Sequence, residues 1–268
     1  MTDFGKFPKL LDDIRILVSN DDGINAPGLK VLERIAKTIS KDVWVVAPET
    51  EQSGVAHSLT LHEPLRIRKI SAKRFAVKGT PTDCVLLAVK AIIPKKRKKI
   101  SLVLSGINRG ANLAEDVTYS GTVAVAMEGT LLQIPSIALS LDMTENKAEQ
   151  WETVEKHAPD LIRKLLMINW PDDTLLNINF PEVPPSAIKG VKIAPLGRRQ
   201  INEKLVKRLD PKGRPYYWIG APIKDDFDRP GVDIVWINDG YITVTPLSID
   251  LTNFKMLEQI REEFEFAS

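Results

Sequence analysis

The stretch from Ile14 to Leu29, IRILVSNDDGINAPGL, limits the fold more than any other. It opens with a short β-branched and aliphatic run of the kind buried on both faces of a parallel sheet. Ser19, Asn20, Asp21, Asp22 and Gly23 then follow at once. After Pro27 the apolar residues recur at helical spacing, with Leu29, Leu32, Ile35 and Ala36 on one stripe. Strand, polar turn and helix in that order predict an α/β fold. They place Asp21 and Asp22 at the carboxyl end of a first strand, where open α/β sheets bind ligands.

Two converging carboxylates about 5 Å apart repel by roughly 3 kcal/mol at an effective dielectric of about 20. A divalent cation removes that penalty, and all-oxygen donors suit magnesium, manganese or calcium. The same residues also make a good turn and helix cap. The metal reading further requires the chain to turn at Gly23, because adjacent residues on a strand face opposite ways.

Composition sets the class. The 268 residues carry a formal net charge of +2, too small to demand a nucleic-acid or membrane partner. The single cysteine, Cys84, excludes an intrachain disulfide and fits a reducing compartment. Residues 1–13 lack a signal-peptide core, and no apolar stretch is long enough to span a bilayer. A cytoplasmic enzyme is expected, with residues 1–13 as a leader.

Val43–Pro48 reads as a second buried strand, completing a βαβ unit with a right-handed crossover. Residues 60–70 and 74–77 read as short antiparallel strands. Gly79-Thr80-Pro81-Thr82-Asp83 caps a helix reaching about Ala91. Lys95–Lys99 reads as a solvated connecting loop before the strand Ile100–Leu104. A helix over about 121–133, a strand at 136–140, a helix over about 148–167 and a strand near 175–178 continue the alternation. Beyond Pro181 it stops. Val191–Ala194 and Pro215–Ile219 read as strands of a projecting hairpin around a basic segment, with a turn at Asp210-Pro211-Lys212-Gly213. Residues 240–246 read as a returning strand and 251–264 as a closing amphipathic helix.

Three successive strand ends carry oxygen-rich loops with glycine: Asp21-Asp22-Gly23, Ser53-Gly54 and Ser105-Gly106-Ile107-Asn108. If those strands are neighbours, Asp21, Asp22, Ser53 and Asn108 meet on one rim and form a single hard-cation site. A fourth loop, Thr118-Tyr119-Ser120-Gly121-Thr122, enters a helix of small residues whose exposed amides and dipole suit a phosphate. An ordinary serine N-cap would look the same. Tyr119 is the one aromatic beside this site, available to cover a nucleobase or simply to pack. His57, His62 and His157 have no zinc spacing. His57 and His62 read as surface or hairpin residues, and the five tryptophans as packing.

Val18 to Gly28, VSNDDGINAPG, resembles the opening signature of the stationary-phase survival protein SurE family. Val46-Ala47-Pro48 with Gln52-Ser53-Gly54 and Ser58-Leu59-Thr60 is similar to its second loop. Gly79 to Val85, Ser105 to Asn112, Tyr119 to Ala124 and Thr245-Pro246-Leu247 follow in the family's order. The resemblance spans Ile14 to Thr252. It implies a Rossmann-like three-layer core with a mostly parallel sheet over 14–181. It also implies, over 182–268, a hairpin arm, returning strand and swapped C-terminal segment that build a homodimer or homotetramer. The implied activity is a 5′-nucleotidase, a phosphoric monoester hydrolase acting on nucleoside monophosphates, with 3′-nucleotides and short polyphosphate in some members. The implied cofactor is one Mg²⁺ or Mn²⁺ per subunit, with Ca²⁺ as a stand-in in a crystal. Its ligands fall on Asp21, Asp22, Ser53 and Asn108, with Asp21 and Asp22 catalytic. The phosphate-facing segment falls on Ser120, Gly121 and Thr122, with Asn112 in the preceding loop. Asp250 matches a late aspartate, but Phe254 stands where some relatives have histidine. A haloacid-dehalogenase-like phosphatase would need Asp-x-Asp, and here the aspartates are adjacent. The alternative is a non-catalytic nucleotide- or RNA-binding module using the same core and Lys95–Lys99.

Overall fold

The computed structural model describes residues 11–94, 98–143, 151–198, 205–219 and 229–265. Strand β1 (Arg15–Ser19) is buried along its whole length. Ile16 and Val18 enter one core cluster and Leu17 the other, as the two-residue period of a central strand requires. Helix α1 (Pro27–Ile39) buries Leu29, Leu32, Ile35 and Ala36, the predicted stripe, and starts at a proline whose missing N–H costs nothing there. Strand β2 (Asp42–Pro48) returns parallel to β1.

The expected antiparallel pair is β3 (Arg66–Ser71) and β4 (Arg74–Lys78). Helix α2 (Pro81–Leu87) opens with a reciprocal cap between Thr80 and Asp83 and runs into a π-turn over Ala88–Ile92. Then come β5 (Leu102–Arg109), the short α3 (Asp116–Tyr119), α4 (Gly121–Leu131), β6 (Ser136–Leu141), α5 (Trp151–Leu166) and β7 (Thr174–Phe180). Strand β8 (Val191–Ile193), the pair β9 (Leu205–Leu209) and β10 (Pro215–Ile219), α6 (Asp233–Asn238), β11 (Ile242–Ser248) and α7 (Phe254–Glu265) complete the described chain.

The main sheet has the order β3-β4-β2-β1-β5-β6-β7-β11-β8. Its six strands from β4 to β7 are all parallel. Helices α1 and α5 cover one face and α2 and α4 the other, giving three layers. Helix α4 is buried on nearly every side, which its small apolar sequence permits. Because β1 leads to β2 on one side while β5 lies on the other, the chain reverses direction beside β1. A crevice opens there at the strands' carboxyl ends.

The arm differs from expectation in one strand. Pro215–Ile219 pairs with Leu205–Leu209, joined through Asp210–Gly213, and Val191–Ile193 instead joins the main sheet beside β11. In Leu205-Val206-Lys207-Arg208-Leu209 the charges conceal a strand exposed on both faces. Among the described residues nothing covers either strand of this hairpin: Leu205, Leu209, Trp218 and Ile219 are all exposed. Among the described residues, no helix is long and apolar enough to cross a membrane.

Candidate active site

Loops from β1, β2 and β5 meet on one rim, as neighbouring parallel strands require. Gly23 takes φ +99°, the left-handed conformation that turns the chain after the aspartates, and a side chain there would press on the Thr50 carbonyl carbon. Cross-loop bonds hold the rim together. Ile24 N–H donates to Pro48 O and Gln52 N–H to Asp21 O, each at 2.8 Å.

A cavity of about 910 Å³ opens on this rim. Asp21, Asp22, Ser53 and Asn108 all line it, so the four nominated oxygen donors are brought together. Ser53 and Asn108 each donate a hydrogen elsewhere. Ser53 Oγ donates to Glu51 Oε1 at 2.8 Å, and Asn108 Nδ2 donates to Gly110 O at 2.9 Å. The Ser53 hydroxyl oxygen and the Asn108 amide oxygen keep lone pairs, as a hard cation requires. Among the described residues no cluster of three or more His, Cys, Asp or Glu forms a metal site, so this mixed set of carboxylate, hydroxyl and amide is the candidate.

The electrostatics agree. Asp21 is almost fully buried, and desolvation raises its pKa despite hydrogen bonds from Thr122. Burial first, then the charges of Asp21 and Glu51, push Asp22 up to about 7, against a stabilising N–H from Arg109. The pair is therefore short of positive charge.

The expected phosphate contacts divide. Asn112 and Ser120 line the cavity; Gly121 and Thr122 do not. Ser120 Oγ caps α4 by accepting Val123 N–H at 3.0 Å, which leaves its own O–H for the cavity. Thr122 gives both its hydroxyl and its backbone N–H to the Asp21 carboxylate. A Cβ on Gly121 would sit 2.6 Å from Asp21 Cβ. The helix tip thus grips Asp21 rather than standing open as a cradle. Tyr119 lines the cavity and is 56% exposed, at its rim.

Some cavity residues were not expected. Glu51 was legible as an acid in a loop already nominated, two residues before Ser53. Trp151 and Met143 also line the cavity, and only their position in space reveals it. His57 is not a plain surface residue: its Nε2 lies 3.0 Å from Glu128 Oε2 and ties the second loop to α4. Lys98 and Lys99 precede β5 and so lie at the sheet's opposite edge, with Lys98 paired to Asp13 at 2.7 Å. Lys95, Arg97 and the lysine between them fall outside the described residues.

The family model described as Survival protein SurE matches residues 16–203. The chain belongs to the SurE family. A SurE protein of Paramagnetospirillum magneticum, named 5′-nucleotidase SurE, is 56% identical over 260 residues, covering 96% of this chain and 99% of that protein. The 5′-nucleotidase SurE of Parvibaculum lavamentivorans is 50% identical over 93% of this chain and 90% of its own length. The crystal structure of the SurE protein from Aquifex aeolicus superposes with a TM-score of 0.80 at 44% identity, covering 92% of this chain and 98% of that one.

Proposed function

We propose that this SurE-family chain is a divalent-metal-dependent phosphatase that hydrolyses nucleoside 5′-monophosphates to nucleoside and phosphate, with 3′-nucleotides and short polyphosphate as further substrates. Relatives of 50–56% identity carry the name 5′-nucleotidase SurE. The observation that carries the reading is the lone-pair set of Asp21, Asp22, Ser53 and Asn108 around one cavity. These four would hold Mg²⁺ or Mn²⁺. When bound, the ion supplies Lewis-acid polarisation of a phosphoryl oxygen.

The chain's own groups do the rest. Thr122 and the start of α4 fix the direction of the Asp21 carboxylate, so Gly121 and Thr122 act through Asp21. Asp22, the more accessible of the pair, accepts the proton of the attacking water. If it attacks phosphorus directly instead, rapid acid quenching will trap an aspartyl phosphate that hydroxylamine cleaves. The Ser120 hydroxyl and an Asn112 amide hydrogen meet the phosphoryl oxygens as charge develops. Tyr119 at the rim meets the nucleoside. We place the enzyme in the cytoplasm, in keeping with its buried free cysteine. We also assign the arm and α7, with Phe254, Met256, Ile260 and Phe264 exposed, to a homodimer or homotetramer with a swapped C-terminal segment.

The test is phosphate release from AMP and GMP with Mg²⁺ or Mn²⁺, and again in EDTA. Turnover that stops on chelation and returns with added metal is expected. Undiminished hydrolysis under full chelation overturns the metal assignment, and tight nucleotide binding without turnover favours a binding module.

A further inference from the structure

We propose that Asn177, Asn179 and Ser140 are positioning residues for the reaction, acting through Asn112; the inference rests on the reading above only in taking Asn112 as a substrate contact. Asn112 lies between β5 and α3, outside any strand or helix, so neither ladder nor helix satisfies its backbone. Side chains from the next strands do so. Its N–H donates to Asn179 Oδ1 at 2.8 Å. Its carbonyl accepts from Asn177 Nδ2 at 2.8 Å and from Asn179 Nδ2 at 3.0 Å. Its own Nδ2 donates to Ser140 Oγ at 2.8 Å.

Asn177 and Asn179 stand two apart on β7 and so project from the same face, while Ile178 between them is apolar. Asn177, Asn179 and Ser140 are completely buried. Full burial is unusual for asparagine, and a bonded buried amide gains little over a well-packed aliphatic side chain. What these amides add is direction. The Asn112 side-chain amide has two N–H donors, and anchoring one on Ser140 aims the other at the cavity that Asn112 lines.

The experiment is a double-mutant cycle on AMP hydrolysis with Mn²⁺, with folding checked by circular dichroism. Ser140→Ala and Asn179→Leu are each made alone and in an Asn112→Ala background. Alone, each should lower kcat about tenfold or more with KM held within about threefold, since small misplacements are costly in rate. In the Asn112→Ala background neither should lower it further. Equal losses in both backgrounds overturn the proposal, because a purely structural role is indifferent to the Asn112 side chain. Should Asn179→Leu not fold, Ser140→Ala decides alone. Full activity of Asn112→Ala would remove the substrate contact and the proposal with it, while the metal reading is judged separately by chelation.

Discussion

Replacing Asp22 by asparagine should stabilise the metal-free protein while removing its activity. Burial and the charges of Asp21 and Glu51 push the Asp22 carboxyl up to about 7, whereas a carboxyl in the unfolded chain titrates near about 3.9. A group that holds its proton more tightly when folded favours folding at low pH. It works against folding as pH climbs from about 4 to about 7, with the whole penalty present above that. From pH 5 towards pH 7 the unfolded carboxyl is ionised while the folded one still largely holds its proton. Each pH unit then costs about 1.4 kcal/mol, or roughly 2.7 kcal/mol over the interval. Asparagine has no proton to lose, and titrating groups distant from the aspartate pair cancel between variant and parent. For a chain of this size that difference corresponds to a Tm gap widening by about 5–10 °C between pH 5 and pH 8. Differential scanning calorimetry in EDTA measures it. Mn²⁺ should then raise the Tm of the parent well above its effect on the variant, and AMP turnover of the variant should fall by about a hundredfold or more. A gap of the same size at pH 5 and pH 8, or a variant less stable at both, would refute the account of a carboxylate pair waiting for a cation.

Gly121→Ala places a methyl group 2.6 Å from Asp21 Cβ and 2.8 Å from its Oδ2. We expect a loss of about 1–3 kcal/mol by denaturant melts, as overpacking costs elsewhere, together with a sharp fall in kcat; normal turnover would show that Asp21 tolerates displacement. Thr122→Val keeps the shape but removes the hydroxyl that bonds Asp21, so kcat/KM should fall about tenfold with the fold intact by circular dichroism. Ending the chain after Asn253 removes α7 with its exposed Phe254, Met256, Ile260 and Phe264. Sedimentation equilibrium should then report a smaller assembly than the full chain, and an unchanged mass would clear α7 of that role.

Much of the sheet was legible because its evidence is local. A β-branched run buried on both faces followed by helical spacing from Leu29 to Ala36 marks a strand and a helix wherever it occurs. The arm was read less well. Leu205–Leu209 is a strand whose partner, Pro215–Ile219, sits across a turn, and exposure on both faces leaves no alternation to detect. The partner of His57 was missed for a similar reason, since Glu128 lies 71 residues away.

The amino-acid chain alone determined which groups are available: two adjacent carboxylates and a hydroxyl in turns after buried strands, and an amide near the carboxyl end of a third. Residue type and position along a strand are local properties, and pairing of β2, β1 and β5 then brings the loops together. Only the tertiary structure decided the direction each group faces. The end of α4 was legible as an anion site, but Gly121 brings it so close to Asp21 that the protein's own carboxylate fills it. Asn112 owes its orientation to asparagines 65 and 67 residues later. A hydrogen bond forms by distance and angle, and no spacing along the chain encodes either until the sheet has closed.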